Sequence, residues 1–163
     1  MQGRNLILKS RIENLRALMS EKNLDVFILM VNERSNSESC HYISGFRGSS
    51  AGLIISMNDE VLITDGRYQT QAKIQSPFKI IIQSELSMPE YLAKAIKDSN
   101  YVNVGYEAEK ISHSTFSKHF ENLNANFIDC SDFMKNYDEK KTLTKSKISK
   151  KPLKLHVRHW KTF

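Results

Sequence analysis

Apolar residues recur at three- and four-residue intervals at Leu6, Leu8, Ile12, Leu15, Leu18 and Met19, with Arg11, Glu13, Arg16 and Glu21 between them. This spacing predicts an amphipathic helix over residues 5–22. Asn23 is placed to end it, because Asn tolerates the left-handed turn at a helix C-terminus. The pattern then changes to a continuous run, DVFILM, over residues 25–30. Its length and its Val, Ile and Phe content predict a strand buried on both faces. Residues 31–40, VNERSNSESC, are polar and predict a loop that ends in one helical turn before Tyr42 and Ile43.

Two short apolar runs, 51–56 and 60–64, flank Met57, Asn58 and Asp59, which is a hairpin signal. Asp65 and Gly66 end the second run, and Asp65 can cap a short helix over 67–74. A strand follows over 78–82. Pro89 sits in the first turn of a helix over 88–96, where its missing N–H costs nothing. A strand over 101–106, a helix over 112–123 with Phe116, His119, Phe120 and Leu123 on one side, and a strand over 126–128 complete the pattern. Ser131 is placed to cap a last helical turn. The expected class is α/β, a mixed sheet with helices on both faces.

Length and charge refine this picture. The 163 residues allow one domain, or one domain with a tail. A chain of this size buries roughly 70% of its unfolded surface, enough for a core. The longest apolar run, Val26 to Val31, is too short to span a membrane, and the N-terminus does not read as a signal peptide. Cys40 and Cys130, in no CxxC pattern, fit reduced thiols in a cytoplasmic protein. The net charge of +6 is unevenly placed. Residues 1–139 hold 15 basic and 18 acidic side chains, net −3, and residues 140–163 hold 9 basic and none acidic, net +9. The body is therefore not a basic nucleic-acid-binding domain, and a nucleic-acid partner is not expected.

Candidate chemistry is sparse. GFRGSSAG holds Gly45, Gly48 and Gly52 at neither dinucleotide nor P-loop spacing, and reads as a turn entering a strand. His41, His113 and His119 stand apart, without a metal-binding spacing. Glu107 and Glu109 flank a turn with no partner carboxylate in sequence. His156 and His159 are three apart, but they lie in the basic tail. Glu33 and Arg34, in the polar loop, could touch a ligand or simply face solvent. These residues alone lead to an α/β domain without its own catalytic constellation.

Three segments carry a resemblance: YISGFRGSSAGLIIS (42–56), VLITDGRYQTQA (61–72) and VGYEAEKISHSTFSKH (104–119). In order and spacing they resemble the N-terminal domain of the creatinase/prolidase/aminopeptidase P family of Xaa-Pro metallopeptidases, over roughly residues 7–137. Asp65-Gly66-Arg67-Tyr68 after a strand is the most specific part. Departures are Arg47 at a position where a small hydroxyl residue is common, Ser39 in place of a frequent Asn, and Asp138 in place of Arg. The resemblance implies a ribonuclease-H-like motif. It also implies that catalysis belongs to a C-terminal domain that binds two divalent metals, manganese, cobalt or zinc, through two Asp, one His and two Glu. The chain is thus expected to be truncated before that domain, to contain no catalytic or metal-binding residue and no cofactor, and to be inactive alone. In such enzymes the N-terminal domain shapes the active-site entrance and the dimer contact. The loop over 31–40 makes Asn32, Glu33 and Arg34 the substrate-entrance candidates. It further implies a homodimer and a peptide substrate in the full-length setting. Arg67 and Tyr68 are expected to play structural parts, Arg67 pairing within the domain and Tyr68 packing.

The tail carries a second signal. Residues 141–163 can be recovered, without mismatch, by deleting one base from codons for KTLNEIKNIKKAIKIACKALENF. That neighbouring-frame peptide restores the family's Glu-Ile pair after the lysine and places apolar residues at helical spacing. The expected organisation is a domain over residues 1–139 and a basic segment over 140–163 that is an out-of-frame remnant of the linker. Two other readings remain at this stage: a standalone peptide- or protein-binding module, and a nucleic-acid binder acting through the +9 tail, whose binding would fall steeply with salt.

Overall fold

Residue alternation along one central strand organises the molecule. The computed structural model describes residues 2–32, 35–133 and 135. The chain divides into two compact units, Met1–Ser131 and Asp132–Phe163, and the fold described is that of the first. Its helices are α1 (Gln2–Glu21), α2 (Ser37–Ser44), α3 (Gln69–Gln75), α4 (Met88–Asp98) and α5 (His113–His119). Its strands are β1 (Val26–Asn32), β2 (Ser50–Ser56), β3 (Glu60–Thr64), β4 (Lys79–Ile82), β5 (Asn103–Tyr106) and β6 (Asn126–Asp129).

The six strands form one mixed sheet in the order β4-β3-β2-β1-β5-β6. β2 runs antiparallel to β1 and β3, and the other pairings are parallel. Without the edge strand β4 the order is 3-2-1-5-6, the ribonuclease-H-like arrangement that the resemblance implies. Successive side chains of a strand point to opposite faces. Val26, Ile28 and Met30 of β1 therefore join one core, with Met88, Leu92 and Ile96 of α4 and with Phe120. Phe27, Leu29 and Val31 face the other way, as do their cross-strand partners Ile55, Leu53 and Ala51. That second core also takes Leu8, Ile12, Leu15 and Met19 of α1 and Cys40 and Ile43 of α2, all buried. Both faces of β1 are covered, which is why the run 25–30 lacks polar alternation.

Several local expectations are met. Asn23 adopts φ 53° at the end of α1. The Ser56 N–H donates to the Asp59 carbonyl and closes the β2–β3 hairpin over the expected three residues. The Asp65 carboxylate accepts from the Arg67 N–H, capping a 3-10 turn, Gly66–Tyr68, that leads into α3. Pro89 lies in the first turn of α4, beside a capping box of Ser87 and Glu90. The Asp25 carboxylate accepts from the N–H groups of Val102 and Asn103, both at 2.8 Å, and pins the entry of β5.

Three expectations are corrected. The polar stretch 31–40 is not a loop with one helical turn. β1 continues to Asn32, opposite Ser50, and α2 makes two turns from Ser37. Cys40, Ile43 and Ser44 supply a small buried face at three- and four-residue spacing, which the Ser-rich composition conceals. The helix expected over 112–123 ends at His119, and the Glu121 N–H reaches back to the Phe116 carbonyl. Asn122, Asn124 and Asn126 then favour turns over helix. Among the described residues Ser131 Oγ accepts from the Glu109 N–H, at 3.5 Å, and not from the turn that follows it. Its N–H and its hydroxyl both donate to Asp129 Oδ1, at 2.9 and 2.6 Å.

Candidate functional site

All strands except β2 run in one direction, so one end of the sheet gathers the C-terminal ends of β1, β3, β4, β5 and β6. Asn32 ends β1 at this rim, exposed, opposite Ser50. The Ser35 N–H donates to the Asn32 carbonyl at 2.7 Å, which ties together the two sides of the turn. Glu33 and Arg34, the other two entrance candidates, lie outside the described residues. Thr64 Oγ1 donates to the Ser50 carbonyl at 2.7 Å, so the ends of β1, β2 and β3 are laced at the same level.

Beyond β3 the rim is built by the motif at 65–68. Arg67 forks onto Asp65, Nε to Oδ1 at 3.1 Å and Nη2 to Oδ2 at 2.8 Å. This hydrogen bonding holds the Asp65 carboxyl below its ordinary range. Tyr68 meets Phe46 edge-on at 5.8 Å, and its hydroxyl lies 2.9 Å from Ser49 Oγ. The Ser49 hydrogen bond lowers the Tyr68 pKa. Arg67 thus pairs within the domain and Tyr68 packs, as expected. The glycines of 45–52 serve the same corner. Gly45 takes φ 80° at the end of α2, and a Cβ on Gly48 would lie 2.2 Å from the Phe46 ring.

α2 is anchored under the rim. Asn36, at φ 67°, donates from Nδ2 to the Met30 carbonyl at 3.4 Å. Ser39 Oγ donates to Glu107 Oε1 at 3.4 Å, and Glu107 is buried. The carboxylate that the sequence leaves without context is thus part of the support of α2. His41 lies on α2, whereas His113 and His119 stand at the two ends of α5, so the three histidines are not brought together.

Burial pushes the Cys40 thiol up to about 12, and burial also raises the Cys130 pKa. Thiols held protonated are poor nucleophiles. Both should resist alkylation by iodoacetamide at pH 8 in the folded protein and react when it is unfolded; rapid labelling of the native state would contradict their burial. The sign of the linkage follows. An unfolded Cys40 ionises near about 8.5 while the folded one keeps its proton, so its contribution to stability declines as pH rises above that value. Among the described residues no group of three or more His, Cys, Asp or Glu could hold a metal ion.

The sequence matches the family described as Creatinase/Prolidase N-terminal domain over residues 11–139. It is 32% identical over 116 residues to a probable Xaa-Pro aminopeptidase P of Fusarium vanettenii, covering 65% of this chain and 19% of that protein. The structure is similar to an X-Pro aminopeptidase from Thermotoga maritima, with TM-score 0.66 and 32% identity, over 71% of this chain and 33% of the other. It is also similar to the N-terminal domain of the cytoplasmic peptidase PepQ from Mycobacterium tuberculosis, with TM-score 0.66 and 27% identity, over 78% of this chain and 97% of that domain. The chain spans about a fifth of the length of the curated relatives it matches first.

Proposed function

Because the chain belongs to the creatinase/prolidase N-terminal domain family, we propose that it is the non-catalytic N-terminal domain of an Xaa-Pro aminopeptidase or prolidase, one that shapes the active-site entrance and the dimer contact of the full-length enzyme. The observation that carries this reading is the match over residues 11–139 to a domain of that family, in a chain that spans about a fifth of the length of its first relatives. The position of Asn32 at the exposed end of the central strand supports an entrance role for the turn it opens. Glu33 and Arg34 complete that proposal. In this reading a homodimer brings the turn to the partner subunit's site, and the substrate is an Xaa-Pro peptide. Manganese, cobalt or zinc would be held by two Asp, one His and two Glu of a separate catalytic domain, where two metals can activate water and polarise the scissile carbonyl. The described residues here contribute no such ligand set. A cytoplasmic location is proposed from the relation to the cytoplasmic peptidase PepQ. Among the described residues no helix is long and apolar enough to cross a membrane.

Two measurements test the reading. Purified residues 1–163 should not hydrolyse Xaa-Pro peptides with manganese, cobalt or zinc added; metal-dependent turnover that follows the chain through purification would overturn it. A chimera carrying residues 11–139 in place of the corresponding domain of a full-length relative should be active. Replacing Asn32, Glu33 and Arg34 with Ala in that chimera should raise KM more than it lowers kcat, and an unchanged KM would remove these residues from the entrance. The organisation of the chain is part of the proposal: a domain over 1–139, then a basic segment over 140–163 in a shifted frame. Residues 140–163 lie outside the described residues, and reading the source DNA past residue 141 in the neighbouring frame decides the matter.

A further inference from the structure

Four of the described arginines divide into two kinds. Arg16 pairs with Glu60 at 2.6 Å and Arg67 pairs with Asp65 at 2.8 Å. Arg11 and Arg47 are instead held by neutral acceptors, and neither forms an ion pair among the described residues. Arg11 Nη1 donates to the Tyr42 carbonyl at 2.7 Å, and its guanidinium lies 4.0 Å from the centroid of the Tyr42 ring. Arg47 Nε donates to His41 Nε2 at 3.0 Å. Both arginines line one groove of about 360 Å³ between α1, the end of α2 and the end of α3. His41, Gln75, Ile7 and Leu8 help to line it, and no carboxylate among the described residues does. On the other side of α1, a second groove holds Glu13 and Glu60 beside Lys9 and Arg16, so its charges are balanced.

The geometry points to the Arg11–Arg47 groove as a binding site for a small dianionic oxyanion of the phosphate or sulfate type. A guanidinium positioned by a neutral acceptor keeps its full charge, and its remaining N–H groups stay directed for a ligand. Among the described residues, no hydrogen bond takes either terminal nitrogen of Arg47 or the Nε and Nη2 of Arg11. Gln75 spends its Oε1 on the Arg47 N–H at 2.9 Å and on Gln71 Nε2 at 3.2 Å, which leaves its own amide N–H groups as further donors. The groove thus presents donors from three side chains and two fixed positive charges. Planar forks of this kind match tetrahedral oxyanions with paired N–H···O bonds. Ile7 and Leu8 form an apolar wall that would suit the organic part of a phosphate monoester. Arg47 is also where the sequence departs from the family it resembles. This site is independent of the entrance turn at Asn32.

The test uses the full chain at constant ionic strength, titrated with inorganic phosphate, with sulfate and with acetate, and followed by the NMR signals of the arginine Nε–H groups. Phosphate and sulfate should shift the Arg11 and Arg47 signals together, along one saturable curve, and bind at least about tenfold more tightly than acetate. Arg47→Gln should weaken phosphate binding by about tenfold or more, as expected for losing charge-assisted hydrogen bonds. Because Arg47 is exposed, this variant should keep the parent's unfolding midpoint in phosphate-free buffer. Arg11→Lys, which keeps the charge but loses the fork, should also weaken binding. Arg67→Gln should leave it unchanged. Shifts that stay linear in phosphate, that acetate reproduces at equal concentration, or that persist in Arg47→Gln would overturn the assignment.

Discussion

Phe27→Ala should lower the free energy of unfolding by about 3–5 kcal/mol, the range for emptying a large aromatic site in a packed core. Phe27 is fully buried in β1, the strand bonded to β2 on one side and β5 on the other. It stands opposite Ile55 and Gly105, and a Cβ added to Gly105 would already lie 3.3 Å from its ring. The surroundings are backbone and branched side chains, which relax little into a void. Ile28→Ala, on the opposite face of the same strand, should cost about 2–5 kcal/mol. Chemical denaturation of both variants checks the central placement of β1. A loss below about 0.5 kcal/mol for either would be the behaviour of a surface position and would contradict it.

The sheet was legible because its strands announce themselves in two ways. The run 25–30 has no polar interruption, as a strand covered on both faces must. The hairpin around Met57, Asn58 and Asp59 is marked by turn-forming residues between two β-rich runs. α2 was not legible for the opposite reason. Its buried side is only Cys40, Ile43 and Ser44, and the Ser residues around them favour turns in isolation. What makes it a helix is tertiary: the cover it gives to β1, the left-handed Asn36 that turns the chain into it, and the hydrogen bond from Ser39 to buried Glu107. The early end of α5 is a milder case, in which the three Asn residues after Phe120 compete with helix propagation.

The candidate sites divide along the same line. Asp65-Gly66-Arg67-Tyr68 is a contiguous motif, so a local reading anticipates both the cap at Asp65 and the Arg67 pairing. Asn32 is distinguished by the family resemblance and by its place at the sheet end, not by its own chemistry. The Arg11–Arg47 groove carries no sequence signal at all. Arg11 reads as an ordinary polar position of an amphipathic helix, and Arg47 as one charge in a glycine-rich turn. Only the packing of α1 against α2 and the end of α3 makes them neighbours, and only the hydrogen-bond partners show that among the described residues both are held by neutral acceptors.

Gly45→Ala should be the second severe substitution, at about 2–4 kcal/mol, because two costs coincide at this position. Gly45 ends α2 with φ 80°, where its N–H donates to the His41 carbonyl. An L-residue held in that conformation loses on the order of 1–2 kcal/mol. The added Cβ would also stand 2.6 Å from the Gln75 backbone oxygen and 3.1 Å from Leu8 Cδ1. The first neighbour is backbone and cannot swing aside, so the end of α3 must move. Gly45→Asn separates the two costs: Asn accepts a left-handed φ but still brings a Cβ, so it should remain destabilised by about 1–3 kcal/mol. Gly66→Ala supplies the contrast. Nothing lies within 4 Å of a Cβ there and its φ is not in the left-handed region, so the change should fall within about 1 kcal/mol of neutral and can stabilise through the unfolded chain. Equal unfolding midpoints for Gly45→Ala and Gly66→Ala would mean that α2 does not end against α3 as described.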